Sequence, residues 1–189
     1  MTFQDLPFQL SSEQRARLEA HYNLMLRWNA KLNLTRIENR DDAVSLHYFE
    51  SLFVGSKLPP GPLRIADVGS GAGFPGIPIA ILRPECSVTL IESHQRKAVF
   101  LREATRDLPN VTVFPGRAEA IRGSFDWVVS RAVNLDDVLK LKISSHTALL
   151  VGPEDAARLG STRVFHVEHF APPGTEAPKS VPRGTLLMC

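Results

Sequence analysis

Cysteine is nearly absent: Cys86 and Cys189 are the two among 189 residues. So sparse a set draws no disulfide framework, and a reducing compartment is expected. No apolar stretch reaches ~18 residues, so no membrane span is expected. The first ten residues hold Asp5 and two phenylalanines, with no basic region and no long apolar run. No signal peptide is expected there. Charge of neither sign dominates, with 22 Lys+Arg against 20 Asp+Glu. That permits a nucleic-acid partner without demanding one, and excludes a histone-like polycation. Internal repeats and low-complexity tracts are also missing. What remains is 43% hydrophobic and 22% charged, near the globular norm of about 45–50% and 25%. At roughly 100–200 residues per domain, the length predicts one domain with a small helical appendage, and the sparse cysteines suit a cytoplasmic one. Such a chain buries a core without disulfide or metal staples.

The helical part comes first. Ser11 and Gln14 offer a capping box, and Leu18, Tyr22, Met25 and Leu32 keep near-helical spacing, predicting a helix over 11–34. A second helix is expected from Asp41 or Asp42 through Phe53, with Gly55 as its stop signal. Lys57-Leu58-Pro59-Pro60-Gly61-Pro62 breaks the pattern. The expected organisation is therefore a helical segment over 1–58 packed on a core over 62–189.

Beyond the linker, short apolar runs predict strands at 63–68, 87–91, 110–114, 125–130 and 147–151. Helix-compatible segments lie between them at 76–82, 94–107 and 135–143. Near-continuous apolar strands alternating with helices imply an α/β fold whose parallel sheet is covered on both faces. Residues 163–170 and 184–189 then suggest an antiparallel pair closing the sheet.

The most informative segment is Asp67-Val68-Gly69-Ser70-Gly71-Ala72-Gly73-Phe74-Pro75-Gly76. It follows the first strand and opens a helix. Gly71, Gly73 and Gly76 match G-x-G-x-x-G, and Glu92 ends the next strand, 21 residues beyond Gly71. That is where a carboxylate that binds ribose hydroxyls is expected. Glycines permit positive φ and leave no Cβ in the way of a ligand. The pattern points to a nucleoside-containing cofactor. Asp67 is awkward beside a pyrophosphate, but suits polar or cationic groups. Arg117-Ala118-Glu119 after the third strand offers an amide and a side chain for an adenine edge. These features favour S-adenosylmethionine over a dinucleotide, and a methyltransferase over a dehydrogenase.

At this point the residues resemble a known family. Asp67 to Pro78, reading DVGSGAGFPGIP, resembles the cofactor loop of the RsmG (GidB) family of bacterial 16S rRNA guanine N-7 methyltransferases. The Phe-Pro-Gly-Ile-Pro extension is more specific than the glycines. Trp28-Asn29-Ala30-Lys31-Leu32-Asn33-Leu34-Thr35 is similar to that family's W-N-x-x-x-N-L-T. His47-Tyr48-Phe49-Glu50-Ser51-Leu52 is similar to its H-x-x-D-S-L, with Glu50 in the Asp place. Phe125-Asp126 through Ser130-Arg131-Ala132 is similar to its F-D-x-x-x-S-R-A. After Arg131 the agreement thins. The stretch Leu135 to His146 is short, and Val151-Gly152 puts a valine where the family has a lysine.

The resemblance implies a Rossmann-like class I methyltransferase sheet preceded by helices, with the last strand antiparallel. It implies S-adenosyl-L-methionine as methyl donor and the guanosine at position 527 of 16S rRNA as acceptor. The partner would be 16S rRNA or a small-subunit precursor, met by a monomer. By motif position, Gly69, Phe74, Glu92, Ala118, Glu119 and Arg131 would hold the cofactor; the reading of the glycine loop itself adds Asp67, Gly71 and Gly73. Asn33, His47 and Ser51 would face the same pocket from the helices.

Each residue also has a plainer reading. Arg131, His47 and Asn33 are the candidate catalytic residues. A guanidinium fork can bind a guanine edge or a carboxylate in two-pronged fashion, but Arg131 could equally pair with Asp67 or Asp126. His47 could bond a base or a phosphate, or be a half-buried helix histidine. Asn33 and Ser51 suit caps and turns. Trp28, Tyr48 and Phe74 could stack on a base or simply fill the core. His166-Val167-Glu168-His169 puts its histidines on opposite faces of a strand, so no metal is expected. Residues 96–122 hold six basic side chains against three acidic, which suits phosphate or merely a solvated helix face. Two other functions stay open: a methyltransferase of this fold acting on another nucleobase or a small molecule, and a non-catalytic RNA-binding relative.

Overall fold

The computed structural model describes residues 1–37, 39–131, 133–152, 155, 163–166 and 185–188. Helix α1 (Ser12–Leu32) starts at the expected capping box. Ser11 Oγ accepts from the Gln14 amide at 3.1 Å, and Gln14 Oε1 accepts from the Ser11 amide at 2.8 Å. It ends on Asn33, at φ 48°, a left-handed C-cap whose N–H returns to the Asn29 carbonyl.

The second helical segment is one continuous rod of changing pitch. A short α2 (Arg40–Asp42) leads into a π-helix (Ala43–Phe49) and then α3 (Glu50–Lys57). The expected stop at Gly55 is corrected here, since α3 runs through it to a cap at Leu58. Gly55 instead lets α3 approach helix α4 (Gly76–Leu82). A Cβ at that position would lie 3.1 Å from Leu82 Cδ2 and 3.4 Å from Ile79 Cγ1.

The sheet contains β1 (Arg64–Val68), β2 (Ser87–Ile91), β3 (Val111–Phe114), β4 (Trp127–Arg131), β5 (Thr147–Val151), β6 (Arg163–His166) and β7 (Thr185–Met188), in the order β3-β2-β1-β4-β5-β7-β6. Strands β1 to β5 are parallel, β7 pairs antiparallel with β5, and β6 pairs antiparallel with β7. Helices α5 (Gln95–Ala104) and α6 (Leu135–Leu139) are shorter than the sequence predicts. Val167, Glu168 and His169 of the His166–His169 stretch lie outside the described residues.

Strand alternation sorts the core into two clusters. Ile65, Ile77 and Phe100 join Leu18, Met25, Tyr48 and Leu52 of the N-terminal helices on one face. Ala66, Val68, Ile91, Val128 and Leu149 pack on the other. The strand order reverses between β1 and β4, which opens a crevice beyond their carboxyl ends. Among the described residues no helix is long and apolar enough to cross a membrane.

Candidate active site

The loop after β1 is held from both sides. Ahead of it, the Gly69 and Ser70 amides donate to the Ile91 carbonyl at 2.9 and 3.2 Å. Behind it sits Asp67, fully buried, whose Oδ2 accepts from the Gly76 amide at 3.0 Å. Its Oδ1 is buried without a hydrogen-bond partner, and burial pushes the carboxyl up to about 7. Gly69 stands at φ 73°, and a Cβ there would collide with Val133 Cγ2. Gly71, at φ 55°, is different: a Cβ there would meet nothing nearer than a carbonyl at 3.8 Å. Its free side belongs to a cleft.

Glu92 joins this loop to the end of β2. Its Oε2 accepts from the Gly71 amide at 2.9 Å and its Oε1 from the His94 amide at 2.7 Å. Each carboxylate oxygen keeps a further lone pair for a hydroxyl donor.

Two clefts of about 280 Å³ each have Gly69 in their lining. The first runs between Ile91, Ser93, Ala118, Glu119 and Val138. The second lies between Thr35, His47, Gly71, Phe74, Lys97 and Arg131. It therefore carries two cations and one wall made by the N-terminal helices.

That wall is closely tied. The His47 ring stacks on Phe74 at 4.7 Å between centroids and 27° between planes. His47 Nε2 shares a 2.8 Å hydrogen bond with Thr35 Oγ1, while its Nδ1 is buried without a partner. Burial and the Arg131 charge hold this imidazole well below its ordinary pKa, so it is neutral. Arg131 Nη1 donates to the Leu46 carbonyl at 2.8 Å and lies 3.5 Å from Glu50 Oε2. Burial pushes the Glu50 carboxyl up to about 7, against the pull of Arg131. Both Leu46 and His47 lie in the π-helix, a form that recurs at functional sites.

A family model described as rRNA small subunit methyltransferase G, GidB, matches residues 14–149. The chain belongs to the GidB family. A curated GidB relative from Nitrosomonas europaea is 47% identical over 123 residues, covering 62% of this chain and 56% of the relative. One from Streptococcus pyogenes serotype M12 is 36% identical over 148 residues, covering 73% and 62%. Both are named "Ribosomal RNA small subunit methyltransferase G". This GidB chain thus spans between half and two thirds of their length.

Among solved structures, a precorrin-6y C5,15-methyltransferase from Geobacter metallireducens matches with a TM-score of 0.54 at 18% identity, over 73% of this chain and 85% of that one. M. jannaschii TYW2 matches at 0.55 and 14% identity, over 83% and 78%. At such identities the likeness is one of fold, and the fold is the Rossmann-like class I methyltransferase fold that the resemblance implies.

The structure brings most of the expected GidB site residues together. Gly69, Gly71, Phe74, His47 and Arg131 line the second cleft, and Gly69, Ala118 and Glu119 the first. Gly73 is internal to the loop at φ 91°, where a Cβ would collide with Ile77. Asp67 lines neither cleft and braces the loop from behind. Asn33 is exposed at the C-cap of α1, outside both clefts. Ser51 is buried, with Oγ donating to the His47 carbonyl at 2.6 Å. Arg131 pairs with Glu50 rather than with Asp67 or Asp126, and Asp126 holds Arg64 instead.

Sequence reasoning missed His21, Thr35 and Lys97, and noted Glu50 only as a substitute. His21 Nε2 lies 3.0 Å from the Ala72 carbonyl, and its Nδ1 lies 2.8 Å from the Tyr48 hydroxyl. A lone histidine within the Leu18–Tyr22–Met25 stripe was the available signal.

Proposed function

We propose that this chain is an S-adenosyl-L-methionine-dependent methyltransferase. Its acceptor is nitrogen 7 of the guanosine at position 527 in 16S rRNA, or in a small-subunit precursor. The observation that carries the reading is the pair of clefts that share Gly69 as a lining residue, with the buried Glu92 carboxylate, which lines neither, holding the Gly71 amide of the same loop. The names of the curated relatives support the rRNA substrate. The solved M. jannaschii relative in fold is described in complex with AdoMet, which supports the cofactor.

The residues present fit that cofactor. The Cβ-free side of Gly71 opens a cradle above the loop, and Glu92 has lone pairs left for a ribose diol. Ala118 and Glu119 line the first cleft, where an amide and a side chain can read an adenine edge. Arg131 and Lys97 give the second cleft the positive charge an amino-acid carboxylate needs. When bound, S-adenosyl-L-methionine supplies an electrophilic methyl group on its sulfonium.

The remaining task of the chain is positioning. Guanine nitrogen 7 carries a free lone pair on the major-groove edge, so no general base is required. Holding two reactants in line can contribute ~7–11 kcal/mol. The His47–Phe74 stack forms the wall against which an acceptor base lies. A stacked duplex base cannot enter, so the guanosine is looped or flipped out. The protein works as a cytoplasmic monomer in this reading.

The test is incubation with methyl-labelled donor and small-subunit RNA or particles that lack the modification, followed by mass mapping. Label on nitrogen 7 of that guanosine is expected. Unlabelled RNA, or label at another nucleotide only, contradicts the assignment.

A further inference from the structure

The guanidinium of Arg131 is held at one end. Nη1 donates to the Leu46 carbonyl at 2.8 Å and lies 3.5 Å from Glu50 Oε2. Both partners come from consecutive turns of one rod, where the π-helix passes into α3. Nε and Nη2 make no hydrogen bond among the described residues, and the side chain lines the second cleft. Glu50 is itself buried and does not line that cleft. We propose that Glu50 is a positioning residue, which fixes the Arg131 fork so that its remaining edge meets the carboxylate of the cofactor's amino-acid end. This rests on the function proposed above and adds a residue to it.

Two arguments favour this over a merely structural ion pair. A buried pair stabilises a fold weakly or not at all, because desolvation offsets the attraction. Its value is then geometric, since a planar guanidinium held at Nη1 by two partners presents its remaining donors in a fixed direction. Burial lowers the Arg131 pKa and raises that of Glu50. Each charge is therefore disfavoured without the other, and the clamp depends on the pair.

The experiment compares two ligands by calorimetry. S-adenosyl-L-methionine carries the amino-acid end, and 5′-methylthioadenosine lacks it. Glu50→Gln should weaken the first about 10- to 100-fold, the range for a charge-assisted hydrogen bond, and leave the second unchanged. Glu50→Asp, which keeps the charge, should fall between wild type and Glu50→Gln for the first ligand. Equal losses for both ligands, or no loss for either, would overturn the positioning role. If wild-type protein binds neither ligand, the proposed function fails and takes this inference with it. Should Glu50→Gln not fold, nitrogen NMR of the wild-type guanidinium decides. Slow rotation with two distinct Nη ends is expected, and rapid averaging would overturn the clamp.

Discussion

His21 of α1 reaches across to Ala72, its Nε2 lying 3.0 Å from that carbonyl oxygen in the centre of the glycine loop. A side chain from the first helix thus closes onto the turn that follows the first strand. The carbonyl can only accept, so Nε2 carries the proton, and Nδ1 accepts from the Tyr48 hydroxyl at 2.8 Å. The imidazole is neutral and fully engaged. Burial holds it there, lowering its pKa to about 4.

That depression has a pH consequence. The unfolded histidine titrates near 6.5, so acid favours the unfolded chain. The contribution is fully present above about 6.5 and is lost as pH falls towards about 4, amounting to ~3 kcal/mol at most. Denaturant unfolding of wild type and His21→Gln between pH 4.5 and 7.5 checks it. The variant should show a shallower acid limb. Parallel curves would mean that His21 is not the titrating group.

Asp67 titrates in the opposite sense. Its carboxyl is raised to about 7 by burial, so the folded protein keeps a proton that the unfolded chain gives up near 4. Stability from this group therefore falls as pH rises from about 4 to about 7. Asp67→Asn keeps an acceptor for the Gly76 amide and should remove that fall. Asp67→Ala leaves the buried amide unsatisfied and should cost about 1–3 kcal/mol. Thermal melts of both variants across that pH range separate the two effects.

Two glycines of the same loop should respond differently to alanine. At Gly69 the new methyl collides with Val133 and the φ is left-handed, so stability should drop by more than the ~1–2 kcal/mol of the conformation alone. At Gly71 only the conformational term applies, because its Cβ faces the cleft. Gly71→Ala should lose about 1–2 kcal/mol of stability while cofactor binding falls steeply. Equal losses of stability at the two sites would contradict the packing described here.

Glu92 serves the loop and the ligand together. Glu92→Gln retains one amide acceptor and one polar contact, and Glu92→Ala retains neither. With charge-assisted bonds at about 1.5–3 kcal/mol each, the affinity for S-adenosyl-L-methionine should fall about tenfold or more in the first. It should fall further in the second. Calorimetry at fixed pH reads both.

Local chemistry was legible in the sequence. The capping box of Ser11 and Gln14 and the apolar strands depend on neighbours a few residues away, whereas the left-handed Asn33, which ends α1 two residues before the expected end, read as a pocket residue. The cofactor loop was legible because glycine types and spacing state their own backbone requirement. Long-range pairs were not. His21 meets Ala72 across 51 residues, and Arg131 meets Leu46 across 85. Gly55 read as a stop because its partner, Leu82, comes from another helix. Asp67 read as a ligand group because its strand position was known but not its direction. Alternation with Ala66 and Val68 turns it to the face covered by α4.

The most direct measurement is a crystal structure of this chain grown with S-adenosyl-L-methionine. The account predicts one molecule bridging the two clefts over Gly69. Its ribose hydroxyls should lie on Glu92, its adenine beside Ala118 and its carboxylate on Arg131. Clefts filled by protein side chains, or a ligand bound elsewhere with Glu92 untouched, would contradict it.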